Sequence, residues 1–247
     1  MRIAVFSDVH GNRLALEAVL ESIAREQPDA IVNLGDVASG PVDPRGTLDL
    51  LRARPEILTI RGNHERNLLE RSPKQLGKVD RLAHAVMTAC DRDWMAAFPG
   101  RAEPAAGVLA VHGAPGDDRR YLLETVEPSG LREGTDEEIT TRLGDDAGRY
   151  ALYLCGHTHL QREWTLADGG LVVNPGSVGW PAFSDDDPFP HRVEAGSPHA
   201  RYTTVISTPA GWSAAPHQVE YDYEAAAVLA EAASRPDIAR ALRTGRV

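Results

Sequence analysis

The fold is decided by the opening stretch Arg2-Ile3-Ala4-Val5-Phe6-Ser7-Asp8-Val9-His10-Gly11-Asn12. Residues 2–6 are rich in β-branched and aromatic side chains, which is typical of a short buried strand, and residues 7–12 form a polar cluster directly after it. A helix is predicted next, because apolar residues recur about every 3.6 positions, at Leu14, Leu16, Val19, Leu20 and Ile23. Asn12 is a suitable N-cap for this helix and Pro28 a suitable stop.

The pattern of strand, polar cluster and helix continues to residue 65. A second apolar run at residues 30–34 ends in Gly35-Asp36, and a third at residues 57–60 ends in Gly62-Asn63-His64-Glu65. A helix is predicted between them, over about residues 45–54. This alternation of strands and helices predicts a parallel sheet with helical crossovers. Because ligands of such sheets bind just beyond the carboxyl ends of the strands, the polar clusters mark a candidate site.

The rest of the chain is predicted to extend one domain over residues 1–247. Residues 66–98 are predicted to be helical with a break near Ser72-Pro73, and Thr135 with Glu138 forms a capping box that opens a helix to about residue 147. Further strands are predicted at 107–111, 150–155, 162–166, 171–174, 202–207 and 212–219, and further helices at 223–234 and at the end of the chain. The segment Pro181–Ala200 is predicted to be a solvated surface loop, with a lid beside the site as the alternative.

Composition and charge exclude several classes of protein. The 247 residues include 26 basic and 36 acidic side chains, and the net charge of −10 argues against binding to duplex DNA or an anionic membrane. A small phosphate ester at a metal remains compatible with that charge, because the ion's own charge dominates its surroundings. We expect no membrane span, since no run of about 18 apolar residues occurs. The start of the chain lacks the apolar core of a secretory signal, and two cysteines cannot make a disulfide framework, so we expect a cytoplasmic protein.

Eight side chains at predicted strand ends form the candidate site. Five of the nine histidines lie at or just past strand ends near a glycine, and two aspartates and one asparagine do the same. The eight residues are Asp8, His10, Asp36, Asn63, His64, His112, His157 and His159. Because the ends of parallel strands meet at one edge of a sheet, we expect these side chains to converge. The other four histidines are predicted to be surface or helix residues: His84, His191, His199 and His217.

The residue types of this set point to metal chemistry. Carboxylate, imidazole and amide oxygen ligands together suit a borderline divalent ion such as Mn²⁺, Fe²⁺ or Zn²⁺. The absence of cysteine from the set argues against a structural zinc site. Eight candidates are too many for one ion but suit two ions that share a bridging carboxylate. Two ions about 3.5–4 Å apart can hold both the attacking and the leaving oxygen of an in-line displacement at phosphorus.

Five short blocks at these strand ends resemble the signature motifs of a known family. They read Asp8-Val9-His10, Gly35-Asp36, Gly62-Asn63-His64-Glu65, His112-Gly113 and Gly156-His157-Thr158-His159. Together they resemble the calcineurin-like metallophosphoesterase superfamily, and Asn174-Pro175-Gly176-Ser177 is similar to a motif of its small bacterial, phosphodiesterase-like branch. The resemblance implies an α/β fold, a four-layer α/β/β/α sandwich with two central mixed β-sheets, and a dinuclear metal site.

The resemblance also implies a role for each residue of the site. It assigns the first metal to Asp8, His10 and His159, and the second to Asn63, His112 and His157. Asp36 would bridge the two ions, Asn63 and His64 would face the substrate, and His64 would be the catalytic acid. Manganese is the first candidate for the two divalent ions, and iron, zinc and nickel are the alternatives.

The implied activity is hydrolysis of a phosphate ester by in-line attack of a metal-bridging hydroxide. His64 would protonate the leaving oxygen, a contribution of roughly 10²–10⁴ in rate. We expect a phosphodiesterase that acts on a small or nucleotide-like substrate. The alternatives are a phosphomonoesterase or nucleotide pyrophosphohydrolase, a catalytically inactive metal-binding regulatory module, and a DNA nuclease of related architecture, against which the acidic charge argues.

The second block departs from the protein-phosphatase branch of the superfamily. That branch reads Gly-Asp-x-x-Asp-Arg-Gly, whereas this chain reads Gly35-Asp36-Val37-Ala38-Ser39-Gly40. The second Asp, which orients the catalytic histidine there, and the Arg, which binds phosphate, are both missing. This difference argues against a phosphoprotein phosphatase and leaves open which residue orients His64. Arg13 and Arg61 are candidates for phosphate contacts, with surface ion pairs as their alternative role.

Overall fold

Two five-stranded mixed sheets form the centre of the computed structural model, which describes all residues from 1 to 247. The strands of the first sheet lie in the spatial order β14 (Gly211–Val219), β13 (Ala200–Thr208), β1 (Arg2–Phe6), β2 (Ala30–Asn33) and β3 (Ile57–Thr59). Strands β1, β2 and β3 are parallel, β13 is antiparallel to β1, and β14 is antiparallel to β13. The crossovers are helices α1 (Arg13–Glu26) and α2 (Pro44–Arg52), in agreement with the predicted alternation.

The second sheet is built from the middle of the chain. Its strands lie in the order β4 (Arg101–Ala105), β5 (Val108–Val111), β8 (Leu152–Leu154), β10 (Leu171–Pro175) and β9 (Gln161–Thr165). The three inner strands are parallel, and the two edge strands are antiparallel to them. Two small hairpins lie outside both sheets: β6 (Glu124–Glu127) with β7 (Gly130–Glu133), and β11 (Ala182–Asp185) with β12 (His191–Glu194).

Six further helices complete the fold. They are α3 (Asn63–Glu70), α4 (Lys78–Val86), α5 (Ala89–Ala96), α6 (Asp136–Leu143), α7 (Tyr223–Ala232) and α8 (Pro236–Thr244). The region predicted as helical over residues 66–98 is therefore three helices, and the first break includes Ser72-Pro73. The capping box of Thr135 and Glu138 opens α6 as predicted, and a 3₁₀ turn (Gly144–Asp146) follows its end. No helix here has the length and apolar character that a membrane crossing needs.

Alternate residues of the strands face different layers. Ile3 and Val5 of β1 belong to a buried cluster with residues of the second sheet, whereas Ala4 and Phe6 pack with Leu16 and the rest of the apolar face of α1. Helix α6 covers the outer face of the second sheet. The alternation follows from strand geometry, in which successive side chains point to opposite faces. The predicted four-layer α/β/β/α sandwich is confirmed.

The segment Pro181–Ala200 is a folded part of the molecule, and its prediction as a solvated loop is wrong. It contains the β11–β12 hairpin, and residues 182–185 line the large cavity described below. His191, predicted to be a surface or helix residue, lies in β12 and is only 5% exposed. Its Nδ1 donates to the Phe189 carbonyl at 2.8 Å, and its Nε2 accepts from the Tyr121 hydroxyl at 3.0 Å. These hydrogen bonds compensate for the loss of water around a buried ring.

Several other short elements also differ from the prediction. His217 is not a helix residue: it lies half-buried in β14, within the strand predicted over 212–219, and its ring stacks on Tyr202 with 4.3 Å between the ring centroids. Strands β4, β6 and β7 were not predicted. They are four or five residues long and charged or partly exposed, so they lack the apolar alternation that indicates a strand.

A close backbone contact fixes the loop that carries His10. A Cβ added at Gly40 would overlap the His10 carbonyl oxygen, so no side chain fits there. We expect Gly40→Ala to reduce the free energy of unfolding by about 1–3 kcal/mol, the usual cost of overpacking. The melting temperature should then fall by about 2–12 °C. Gly100→Ala is the control, because its Cβ would meet no atom within 4 Å. Equal melting temperatures for the two variants would contradict this account.

Candidate functional site

The structure brings all eight candidate side chains together at the carboxyl ends of strands from both sheets. Three overlapping groups have ligand atoms within 4.8 Å of one another: Asp8, His10 and His159; His10, Asp36 and His64; Asp36, His112 and His157. Asn63 joins them through its Oδ1, which lies 3.0 Å from His112 Nε2. The loops after β1, β2 and β3 come from the first sheet, and those after β5 and β8 come from the second. The predicted convergence is therefore present, although it involves two sheets and not one edge.

The backbone at this cluster adopts a conformation that L-residues rarely take. Of seven non-glycine residues with positive φ in the chain, five belong to the cluster. They are Asp8 (57°), His10 (49°), Asp36 (55°), His157 (68°) and His159 (58°). Each such residue costs of the order of 1–3 kcal/mol, and strain of this kind is typical of functional sites. Because the strain is concentrated at these residues, we infer that the positions of their side chains serve a function that outweighs the loss of stability.

Four histidines of the cluster are held in one tautomer by backbone carbonyl groups. The pairs are His10 Nδ1 with Ser39 at 2.8 Å, His159 Nδ1 with Trp180 at 2.6 Å, His112 Nδ1 with Leu34 at 2.7 Å and His157 Nε2 with Arg119 at 3.0 Å. A carbonyl oxygen can only accept a hydrogen bond, so each of these nitrogens carries a proton. In the neutral ring, the other nitrogen presents a lone pair, which is the arrangement that metal-binding histidines need.

Inside the cluster, hydrogen-bond acceptors face one another. His10 Nε2 lies 3.1 Å from His159 Nε2, although the proton of each neutral ring is on the other nitrogen. At the other end of the cluster two oxygens, Asn63 Oδ1 at 3.0 Å and Asp36 Oδ2 at 3.1 Å, are directed at His112 Nε2, so positive charge is favoured there as well. Buried acceptors without donors are costly, and a cation bound among them would remove that cost. The residues present therefore fit divalent metal ions, whose preferred ligands in this range are carboxylate and imidazole groups.

The electrostatics of the cluster also favour a bound positive charge. Asp8 Oδ1 is buried without a hydrogen-bond partner. Burial acts to raise the pKa of Asp8, but the neighbouring His159 lowers it to about 2. Burial lowers the pKa of His10 to about 3, with a further contribution from His159, so this ring is neutral and can bind a metal. Burial opposes protonation of His112, but the Asp36 carboxylate raises the pKa of His112 to about 10, so this position favours positive charge.

Asp80 supplies the carboxylate that the second sequence block lacks. It is a buried residue of α4, and its Oδ1 lies 2.5 Å from His64 Nδ1. The His64 ring lies 5.2 Å from the His10 ring and lines the cavity. Burial acts to lower the pKa of His64, but Asp36 and Asp80 raise it to about 9. Asp80 therefore orients His64 and favours its protonated form, which can donate a proton at neutral pH.

Asp80→Asn is expected to reduce the rate of the phosphate ester hydrolysis that the family resemblance implies by about 10–100-fold, the usual effect of losing such an orienting partner. Because the amide no longer favours the protonated His64 ring, the pKa of His64 falls, and the alkaline limb of the pH profile of kcat/KM should move to lower pH. Asp93→Asn, at an exposed position of α5, is the control. An unchanged rate and pH profile would exclude this role for Asp80.

Glu65 has a structural role beside the cluster. Its carboxylate is fully buried and accepts hydrogen bonds from the backbone NH groups of Asp36 at 2.7 Å, Val37 at 2.8 Å and Gly62 at 2.9 Å. These contacts join the loops after β2 and β3, which carry Asp36 and Asn63. Glu65 thereby fixes the distance between two candidate ligands, although it is not a candidate ligand itself.

A cavity of about 1040 Å³ opens onto the cluster. The cluster residues that line it are His10, Asp36, Asn63, His64, His157 and His159. Small-molecule sites usually have volumes of about 300–1,000 Å³, so this cavity is at the upper end of the range. It can therefore accept a ligand considerably larger than a simple phosphate.

Neither of the two arginines predicted to contact phosphate lines this cavity. Arg13 lies at the start of α1 and forms surface ion pairs with Glu17 at 2.7 Å and with Asp43 at 3.7 Å. The Arg61 backbone NH donates to the Pro99 carbonyl at 2.8 Å, and no polar contact of its side chain reaches the cluster. The structure thus gives Arg13 the surface ion pairs that were its alternative role, and it shows no contact of Arg61 with the cavity.

Several cavity residues were not identified from the sequence. Trp180, whose carbonyl fixes His159, closely follows the Asn174–Ser177 motif, and this proximity could have suggested it. Asp80 and Arg142 carry no such signal. They belong to helices outside the motifs, and only tertiary packing brings Arg142 to the cavity and Asp80 to His64.

Comparisons with known proteins are consistent with this geometry. Residues 1–189 match the family model described as a calcineurin-like phosphoesterase superfamily domain. Among solved structures, a metallophosphoesterase from Sphaerobacter thermophilus is 23% identical with a TM-score of 0.74, over 99% of this chain and 100% of that chain. A hypothetical protein from Pyrococcus horikoshii OT3 is 16% identical with a TM-score of 0.76, over 99% and 98% of the two chains. At these identities the two structures support the fold. No curated protein sequence matches this chain.

Proposed function

Because this chain belongs to the calcineurin-like phosphoesterase superfamily, we propose that it hydrolyses small, nucleotide-like phosphodiesters with the help of two divalent metal ions. The observation that carries the proposal is the pair of facing lone pairs in the cluster, with His10 Nε2 and His159 Nε2 only 3.1 Å apart. Because the Nδ1 atom of each ring donates to a carbonyl oxygen, the two Nε2 lone pairs repel each other in this arrangement unless a cation binds to them. Manganese is the first candidate, with iron, zinc and nickel as alternatives, because this ligand set suits all of them.

We assign the two ions to the two ends of the cluster. The first would be held by Asp8, His10 and His159, and the second by Asn63, His112 and His157. Asp36 would bridge them, because its carboxylate belongs both to a group with His10 and to a group with His112. The carbonyl groups that fix the four histidine tautomers support this assignment, since they keep one ring nitrogen of each histidine free for a metal.

The chemistry that such ions supply when bound is Lewis acidity, which makes water nucleophilic near neutral pH and offsets the charge of the phosphate oxygens. The chain itself contributes orientation and proton transfer. His64, held by Asp80, donates a proton to the leaving oxygen. Asn63 directs its Oδ1 towards His112, so its Nδ2 can donate a hydrogen bond to a phosphate oxygen.

The surroundings of the cluster favour a diester over a monoester. The rings of Trp180 and Phe183 line the cavity, with the Trp180 ring 5.0 Å from the His10 ring and the Phe183 ring 4.8 Å from the His159 ring. Both rings are partly exposed and offer an apolar surface beside the phosphate position. The organic groups of a diester can occupy this surface and the rest of the cavity.

Assays with bis-p-nitrophenyl phosphate and p-nitrophenyl phosphate test the proposal. The protein would be loaded with Mn²⁺, Fe²⁺, Zn²⁺ or Ni²⁺ in separate samples. We expect metal-dependent hydrolysis with a higher kcat/KM for the diester, and loss of activity after chelation. A preference for the monoester, or for the pyrophosphate bond of a nucleotide, would replace the diesterase assignment with one of the alternatives. Metal binding without turnover of any ester would instead indicate an inactive regulatory module.

A further inference from the structure

The cavity wall has more arginines than its carboxylates neutralise. Six arginines line it: Arg71, Arg119, Arg120, Arg142, Arg235 and Arg240. Arg119 is paired with Asp187 at 2.9 Å and Arg235 with Asp237 at 2.5 Å. The other four have no carboxylate oxygen within 4.0 Å. The wall also carries carboxylates that these four arginines do not contact, among them those of Glu124 and Asp185, so the four guanidinium groups remain available to an anion.

Arg142 is the most firmly positioned of the unpaired arginines. It is a partly buried residue of α6, and its Nη1 donates to the Leu122 carbonyl at 3.0 Å while its Nη2 donates to the Thr125 hydroxyl at 2.5 Å. Both partners are neutral, so they fix the guanidinium without neutralising its charge. The carboxylates whose charges act on Arg142 are engaged elsewhere, since Glu138 pairs with Arg132 and Glu124 with Arg162. A guanidinium held in this way is suited to binding a phosphate group.

Arg120 lies between two residues that contact the metal cluster. The Arg119 carbonyl accepts a hydrogen bond from His157 Nε2 at 3.0 Å, and the Tyr121 ring lies 5.1 Å from the His157 ring. Arg120 therefore belongs to a loop that packs against His157, and it lines the cavity. Burial lowers the pKa of Arg142, Glu138 acts to raise it and the charge of Arg120 acts to lower it, so the two guanidinium groups are close enough to interact. Two arginines that repel each other are stabilised when an anion binds between them.

The cavity thus differs in character on the two sides of the cluster. Trp180 and Phe183 lie beside His10 and His159, at one end of the cluster. The loop that carries Arg120 contacts His157, at the other end, through Arg119 and Tyr121. A substrate that matches this arrangement has an aromatic group on one side of the reacting phosphate and a further negative charge on the other.

We propose that Arg120 and Arg142 form a subsite for a second phosphate group of the substrate, an inference that rests on the phosphoesterase function proposed above. The preferred substrates are then nucleotide-like esters that carry at least one phosphate in addition to the one that is hydrolysed. The second phosphate binds the two guanidinium groups, and the aromatic group contacts Trp180 and Phe183. The same subsite chemistry would also suit free inorganic phosphate, so the experiment includes an arm that separates the two.

Two chromogenic esters that differ only in the second phosphate provide the test. They are thymidine 5′-(p-nitrophenyl phosphate) and the same ester with a 3′-phosphate, and both release nitrophenolate from the metal-loaded protein. We expect a kcat/KM at least about tenfold higher for the ester with the 3′-phosphate, because it gains charge-assisted hydrogen bonds. Arg120→Gln and Arg142→Gln should each reduce this preference by about tenfold. Arg192→Gln, an exposed arginine outside the cavity, should keep it.

Equal kcat/KM values for the two esters in the wild type, or an unchanged preference in both variants, would overturn the proposal. If Arg142→Gln does not fold, the exposed Arg120 still provides the decisive variant. Inorganic phosphate is also added to the assay of the ester that lacks the 3′-phosphate. If it raises this rate and the wild type shows no preference for the other ester, the subsite binds a free ion and the proposal is overturned.

A binding arm separates this proposal from the proposed function. Thymidine 3′,5′-bisphosphate and thymidine 5′-monophosphate are titrated into the metal-loaded protein by calorimetry. If neither ester is hydrolysed, the proposed function fails, and tighter binding of the bisphosphate that depends on Arg120 still supports the subsite. Equal affinities for the two nucleotides would reject the subsite even in an active enzyme.

Discussion

Asp36→Asn is expected to deplete both metal positions together and to reduce hydrolysis of bis-p-nitrophenyl phosphate by at least about 10³-fold, because the metals supply several kcal/mol of transition-state stabilisation. The Asp36 carboxylate is nearly fully buried, with Oδ2 3.1 Å from His112 Nε2 and 4.0 Å from His10 Nε2. An amide in its place has no negative charge to share between two cations. The metal content per chain and the rate are measured on the same preparations.

The substitution at Asp36 is nearly isosteric, so its effect can be separated from unfolding. Asn keeps the Oδ1 atom that accepts a hydrogen bond from the His64 backbone NH at 3.0 Å. Asp145→Asn, at an exposed position outside the cavity, provides a matched control with the same loss of charge. Loss of one ion with full retention of the other would make Asp36 a terminal ligand and would contradict the bridging assignment.

His64→Ala is expected to retain both metals and to lose about 10²–10⁴ in rate, the usual contribution of a well-placed general acid. The reason is the contact between His64 Nδ1 and Asp80, which keeps the ring protonated and oriented towards the cavity. The rate loss should be smaller for an ester with a better leaving group, because such a group needs less protonation. Metal content is measured in parallel with the rates on two esters.

The same experiment tests the alternative role of His64. Its ring nitrogen also lies within 4.8 Å of ligand atoms of His10 and Asp36, so the geometry allows it to be a metal ligand. A carboxylate partner such as Asp80 is compatible with either role, since metal-bound histidines often have one. If His64→Ala loses an ion, His64 is a ligand and not the acid. His84→Ala, in the same helix as Asp80 but outside the cavity, is the control.

The N-terminal half of the first sheet could be predicted from the sequence because its signals are local. The apolar runs at β1 and β2 are short and flanked by polar residues, and the apolar spacing in α1 follows the helical period. The same runs placed Asp8 and Asp36 at strand ends. That the loops after β5 and β8 reach the same point from a second sheet does not follow from any local pattern. The family resemblance was needed to imply it.

The parts of the site that could not be predicted depend on long-range packing. Asp80 reaches His64 from a helix 16 residues later in the chain, and Arg142 reaches the cavity from α6. The β11–β12 hairpin was missed because its two strands have only four residues each and are separated by prolines and acidic residues. Short polar strands of this kind are stabilised by tertiary contacts, here including the hydrogen bond between His191 and Tyr121.

The most direct test of the central claim is anomalous diffraction from crystals of the protein grown with Mn²⁺. We expect two peaks about 3.5–4 Å apart. One should lie against Asp8, His10 and His159, the other against His112 and His157, with the Asp36 carboxylate between them. A single peak, or manganese bound only elsewhere on the chain, would contradict the account of a dinuclear site.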